Sequence, residues 1–186
     1  MAREKQKKVR KSKGTEPKKA VIRGTDPNWT DSPLTFDLSH KEWLKGVSFR
    51  DFTNKFDDET MFAQYLFELF HKVIPTIQQN WKDIVQGQGK GSWRHCRPVS
   101  EEKLDFVLGI IEKTHSHTFK DKIGVGSSLW QLGFTQNIRL IAIYDYRNNS
   151  LTPVFVDYHH LVHPDKNFNQ PDYKRFGFCP VCEYAC

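Results

Sequence analysis

Four short stretches hold residues able to do chemistry. In 93-WRHCR-97, Arg94 and Arg97 flank His95 and Cys96, beside Trp93. Guanidinium groups clamp phosphate bidentately, an indole stacks on a base, and imidazole titrates near neutrality. That is a kit for RNA or another phosphorylated ligand. The plainer alternative is a loop-to-strand junction with Trp93 in the core and both arginines solvated. Arg139 opens the apolar run 138-IRLIAIYDY-146. A strand head can present a guanidinium rigidly to phosphate, or let it snorkel to water.

The third stretch, 157-DYHHLVH-163, ends a second apolar run. His159 and His160 point to opposite faces of a continuing strand, so at most one shares a face with Asp157. Asp157 and His159 together would make an oriented general base. His160 would instead face an open groove, and His163 follows the strand. For any single histidine, packing or plain solvation is the competing reading.

The fourth is Cys179-Pro-Val-Cys182 followed by Cys186, three of the chain's four cysteines. Two thiolates three residues apart suit one metal ion. Cys179, Cys182 and Cys186 with one of the histidines, assigned to His163, would complete a tetrahedral Cys₃His structural zinc site. A redox pair fits less well, because that context wants the pair to follow a strand and open a helix. An exposed, unligated tail is the other alternative. No catalytic cofactor is expected. The glycine-rich 86-QGQGKGSW-93 is not a phosphate-binding loop of the nucleotide-hydrolase kind: its glycine spacing is wrong, and Lys90 is followed by Gly91 rather than Ser or Thr.

Two helices and three strands must position these groups. Residues 58–84 carry Met61, Phe62, Tyr65, Leu66, Leu69, Phe70, Val73 and Ile77 at helical spacing, with Asp57 or Asp58 as cap. Pro75 should kink or end that helix. Residues 100–115 form a second helix capped by Ser100, burying Leu104, Val107, Leu108 and Ile111. Then the period changes to that of strands over 129–134, 138–146 and 151–160, joined by short turns. Alternation puts Leu140, Ala142, Tyr144, Val154, Val156 and Tyr158 on one face, and Arg139, Ile141, Ile143, Phe155 and Asp157 on the other. Pro153 suits an edge or the strand start.

Of 186 residues, the first 23 hold ten Lys/Arg and two Glu, whereas the remaining 163 hold 18 basic and 20 acidic side chains. Basicity thus lives in the leader, which is too polar to bury a core and could hold phosphate backbones without sequence preference. A solubilising leader explains it equally well. No apolar run approaches the ~18 residues that span a bilayer, and the charged leader has no apolar segment behind it. The expectation is a cytoplasmic protein with reduced cysteines and no membrane partner.

The segment 129-LWQLGFTQNIRLIAIYDYRNNSLTPVFVDYHHLVHP-164 resembles the C-terminal half of RelE/ParE-superfamily toxins: an Arg-led apolar strand ending in Tyr, a tight turn, a second apolar strand, then His. It is similar, too, to small uncharacterised bacterial proteins in which a Trp-x-x-Ile helix (Trp81 to Ile84) and a histidine segment (95-HCRP-98) precede such a hairpin. The resemblance implies an RNA-directed fold, often working at the ribosome and often paired with an antitoxin protein. It implies a ribonuclease that uses Arg, Lys and His, with the 2′-hydroxyl as nucleophile and no metal. By position, Arg139 would bind phosphate and His159 or His160 would be the acid or base, with Arg94, His95 and Arg97 supplying the rest.

The expected organisation is a basic tail and linker over 1–33, one domain over 34–164, and a cysteine tail over 165–186. Its class is α+β: N-terminal helices packed on a small C-terminal antiparallel sheet, RelE-like. The alternative function is a non-catalytic, zinc-stabilised adaptor that binds nucleic acid or a protein.

Overall fold

The computed structural model describes residues 32–87, 91–115, 119, 123–124, 126–134, 138–164 and 172–185. Residues 1–31, 88–90, 135–137 and Cys186 are among those that lie outside them. At the centre is a five-stranded sheet in the order β1-β7-β6-β5-β4. Its strands are β1 (Thr35–Phe36), β4 (Arg97–Pro98), β5 (Ser127–Leu132), β6 (Arg139–Asp145) and β7 (Ser150–Asp157). A two-stranded hairpin, β2 (Ser48–Phe49) and β3 (Phe52–Thr53), lies apart. The helices are α1 (Glu59–Glu68), α2 (Ile74–Gln86), α3 (Glu101–Thr114) and the short α4 (Pro180–Tyr184).

The class is therefore mixed α and β, and two finer expectations are corrected. The sheet is not purely antiparallel, because β1 runs parallel to β7. Nor do the helices all precede it: β1 comes before α1, β4 lies between α2 and α3, and α4 follows the last strand.

Both faces of the sheet are covered, which explains why Arg139 to Tyr144 are all buried rather than alternating. Leu140, Ala142, Tyr144, Val156 and Tyr158 share one core with Leu69, Val73, Ile77, Trp81 and Ile84 from the first helical run. Ile141, Ile143, Val154 and Phe155 share the other with Val107, Ile110 and Ile111 of α3 and with Phe52.

Val154 is on the face opposite to the one alternation assigns. The β6–β7 register shifts between Ile141 and Ala142, which oppose Phe155 and Pro153, so Val154 is the extra residue of a bulge. Its carbonyl accepts a hydrogen bond from His115 Nε2 at 2.6 Å.

Asp58 caps α1 by accepting the Met61 N–H at 2.8 Å. Pro75 does not break the chain's helical course. Leu69–Val73 instead forms a π turn in which the Ile74 N–H reaches Leu69 O, five residues back. The wider turn accommodates a proline that donates no N–H and whose ring crowds the preceding turn. No helix among the described residues is long and apolar enough to cross a membrane.

Candidate functional site

Four chain segments meet at one end of the sheet. β5 finishes at Leu132, β6 starts at Arg139 and β7 finishes at Asp157. β4 starts at Arg97, opposite Gln131. Residues far apart in sequence are thereby gathered.

Arg139 is 2% exposed and stands opposite Asp157 in the β6–β7 register. Its Nη1 donates to Ile138 O at 2.7 Å. The side chain lies against Gly133, where an added Cβ would meet Arg139 Cδ at 2.9 Å and Ile138 O at 2.5 Å. Glycine is needed there because backbone and guanidinium pass too close for any side chain. Burial lowers the Arg139 pKa to about 10, with Asp157 pulling it back up, so the group stays cationic at neutral pH.

Cys96 ties the preceding segment to the same spot. Its Sγ donates to Gly133 O and accepts the Gly133 N–H, each at 3.4 Å. Burial raises its pKa, which suits a packed thiol rather than a nucleophile. Gln131 Nε2 donates to His95 O at 3.4 Å. Trp93 packs on Phe134 with ring centroids 6.4 Å apart.

Held this way, His95 accepts from Arg94 Nε through Nε2 at 2.9 Å, which places its own proton on Nδ1. Its pKa falls to about 4, first through burial, then through the charges of Arg139, Arg94, His160 and Arg97.

His160 comes from a turn built on Asp157. Oδ1 accepts the N–H groups of His159 at 3.2 Å and Leu161 at 3.0 Å, and Oδ2 that of Val162 at 2.8 Å. Burial pushes the Asp157 pKa up, while those three donors and Arg139 oppose the push. The turn puts His160 at φ 60°, in the left-handed region that side chains other than glycine's seldom occupy. Its ring meets His95 edge to face, centroids 6.4 Å apart.

The structure thus brings together Arg94, His95, Arg97, Arg139 and His160. His159 goes elsewhere: its Nε2 donates to Lys55 O at 2.8 Å and its ring stacks on Tyr173 at 4.1 Å. Asp157 takes the backbone N–H of His159 rather than orienting its imidazole. His163 has its pKa lowered by burial and then by Arg97 and Lys103, so it borders the arginine cluster.

The cysteine pair packs in a different place. Phe178 forms an antiparallel bridge with Phe56, and Cys179 Sγ accepts the N–H of Gly46, carrying the C-terminal segment onto residues 46–56. Cys179 caps α4, so the pair does open a helix, though a short one. Among the described residues, no group of three His, Cys, Asp or Glu is gathered to hold a metal ion.

The contributions of Gly133 and of the Asp157 turn are absent from the sequence reading. An isolated glycine directly after a strand signals close backbone approach and could have pointed to the first. The second is local, an Asp accepting N–H groups two, four and five residues on, and an aspartate at a strand end is its signal.

Chemically, three guanidinium groups and two imidazoles gather here, and the acid opposite Arg139, Asp157, is buried. Such an arrangement favours an anion with several acceptor oxygens. No solved structure matches the chain. The curated "Uncharacterized protein UU032" of Ureaplasma parvum serovar 3 is 24% identical over 164 residues, 88% of this chain and 89% of that protein. The family model described as "Uncharacterised protein UU032" matches residues 39–185, from before the hairpin through α4, and the chain belongs to that family.

Proposed function

We propose that the chain is an RNA-directed protein that holds a phosphodiester at the end of the sheet and cleaves it, in the manner of RelE/ParE-superfamily toxins. The convergence of Arg94, Arg97 and Arg139 around His95 and His160 carries this reading. An anion there would offset the mutual repulsion of the cations. Arg139 is rigid, and Arg94 and Arg97 are exposed enough to close on a ligand.

In the proposed step, the ribose 2′-oxygen attacks phosphorus while its proton passes to His95. The P–O5′ bond breaks, and His160 gives the departing 5′-oxygen a proton. The products are a 2′,3′-cyclic phosphate and a 5′-hydroxyl. His95 is neutral at physiological pH, as a base must be. Its Nε2 lone pair becomes available when the phosphate draws the Arg94 guanidinium away from it. The ribosome and an antitoxin protein are the partners this reading would add.

The test is cleavage of end-labelled single-stranded RNA and of ribosome-bound message by purified protein. Cyclic-phosphate ends are expected, with His95→Gln and His160→Gln each slowing cleavage by about 10²–10⁴-fold and leaving the circular dichroism spectrum unchanged. Equal cleavage by all three proteins would overturn the site assignment. Wild-type protein that neither cleaves RNA nor binds it salt-dependently would overturn the function.

A further inference from the structure

We propose that the cavity between the β2–β3 hairpin and the turn after β7 takes a purine base of the RNA. The proposal rests on the RNA reading above and adds which nucleotide the chain selects.

The cavity has a volume of about 360 Å³, within the range that holds a small ring system. Phe52, Leu161 and Pro164 give it an apolar lining, and Tyr173 adds an aromatic ring. That ring is already fixed. It stacks on His159 with centroids 4.1 Å apart and planes 13° from parallel, and Phe176 meets it edge to face at 5.4 Å. A fixed ring loses little freedom when a base stacks on it. A purine covers more of that ring than a pyrimidine does, which sets the preference.

Polar groups are placed to bind what such a base carries. Asp51 and Asp172 line the cavity, and carboxylates accept from the N–H groups at a purine edge. Asp51 is paired with Lys174 at 3.2 Å, but these side chains are 92% and 74% exposed. An exposed pair of this kind is weak, so a ligand can separate it and use both members.

The hairpin supplies a second cation at a cost in backbone strain. Phe49 and Phe52 are partners in register, so Arg50 and Asp51 form a two-residue turn. Arg50 has φ 55°, where glycine or asparagine sits with less strain. An arginine stands there instead, and it lines the cavity. Arg50 and Lys174 together suit the phosphate attached to the base.

The cavity and the arginine cluster share one turn. His160 from that turn meets His95, and the next residue, Leu161, lines the cavity. Burial and then the charge of Asp157 raise the Tyr173 pKa, so the stacking ring lies near the acid opposite Arg139. The base held here therefore belongs to a nucleotide beside the scissile phosphate.

The experiment follows amide resonances of the full chain while guanosine, adenosine, cytidine or uridine 5′-monophosphate is added. Saturating shifts at Thr53, Leu161 and Lys174 are expected, with the two purine nucleotides binding about tenfold more tightly. Tyr173→Leu should remove that preference. Arg50→Gly relieves the turn, so it should unfold in urea at the same or a higher concentration, yet bind purine nucleotides about tenfold more weakly. RNA cleavage should fall beside purines in the wild type and lose that bias in Tyr173→Leu. Cleavage without base preference, or shifts at these amides that are equal for all four nucleotides, would overturn this subsite and leave the proposed function standing. Purine binding by a protein that neither binds nor cleaves RNA would overturn the proposed function, and with it the role of the cavity as an RNA subsite.

Discussion

His115 and His95 both have lowered pKa values, and their surroundings differ in kind. His115 is enclosed. Its Nε2 donates to the bulged Val154 carbonyl, Glu42 lies 3.8 Å from Nδ1, and Phe119 packs against the ring with centroids 4.4 Å apart. Burial lowers its pKa, the carbonyl and Glu42 push back, and His40 and Lys45 lower it further, so its neighbours are of both signs. The fold itself thus provides for this ring. His95 is also lowered by burial, but the charged groups acting on it are Arg139, Arg94, His160 and Arg97, all cationic. The direction of a shift does not separate a structural histidine from a functional one. The sign of the neighbouring charges does, because a site that gathers like charge gains most from an anion supplied from outside.

The largest expected effect concerns the acid beneath that cluster. Asp157→Ala removes the acceptor of three N–H groups and the carboxylate facing Arg139, and should cost about 3–5 kcal/mol in urea unfolding. A loss under about 1 kcal/mol would mean that the turn presenting His160 is held by something else.

His115→Ala should cost about 1–3 kcal/mol, since it strips a donor from a buried carbonyl, and should leave RNA affinity unchanged. A tenfold weaker RNA complex in that variant would break the contrast between the two histidines.

The contrast sharpens with pH. His95 titrates near 6.5 when unfolded and near 4 when folded. Between those values the unfolded chain binds more protons, so stability rises with pH. The contribution is complete above about pH 6.5 and is lost as pH falls through about 4. His115, His159 and His163 are shifted in the same direction. Inorganic phosphate should raise the His95 pKa and leave that of His115 in place, read by NMR titration of the ring protons. Equal movement of both would remove the distinction.

The smallest effect belongs to the rim. Arg97→Gln should change stability by less than about 0.5 kcal/mol, and lower the salt slope of RNA binding by about 1.

Much of the scaffold is legible in the sequence because it follows from period and caps. The helical spacing from Met61 to Ile77, the Asp58 cap and the strand runs 138–146 and 151–160, the second of which ends earlier, at Asp157, each depend on residues close together. The turn before β7 is of the same kind: Asn149 takes φ 45°, as an asparagine readily does. Val154 is the instructive exception. A bulge is a mismatch between two strands, and one strand's alternation carries no record of it. The parallel pairing of β1 with β7 is equally non-local, since two residues have no period to read.

The candidate site divides along the same line. Residue type alone marks Arg94, His95, Arg97, Arg139 and His160 as groups able to handle phosphate, and Cys179 and Cys182 as a thiol pair. Tertiary structure decided which of them meet. It set His160 beside His95 and turned its neighbour His159 to Lys55, and it brought Gly46 to Cys179 across 133 residues. Chemistry resides in side chains and can be read singly. Proximity depends on sheet order and register, which take their form when the chain packs.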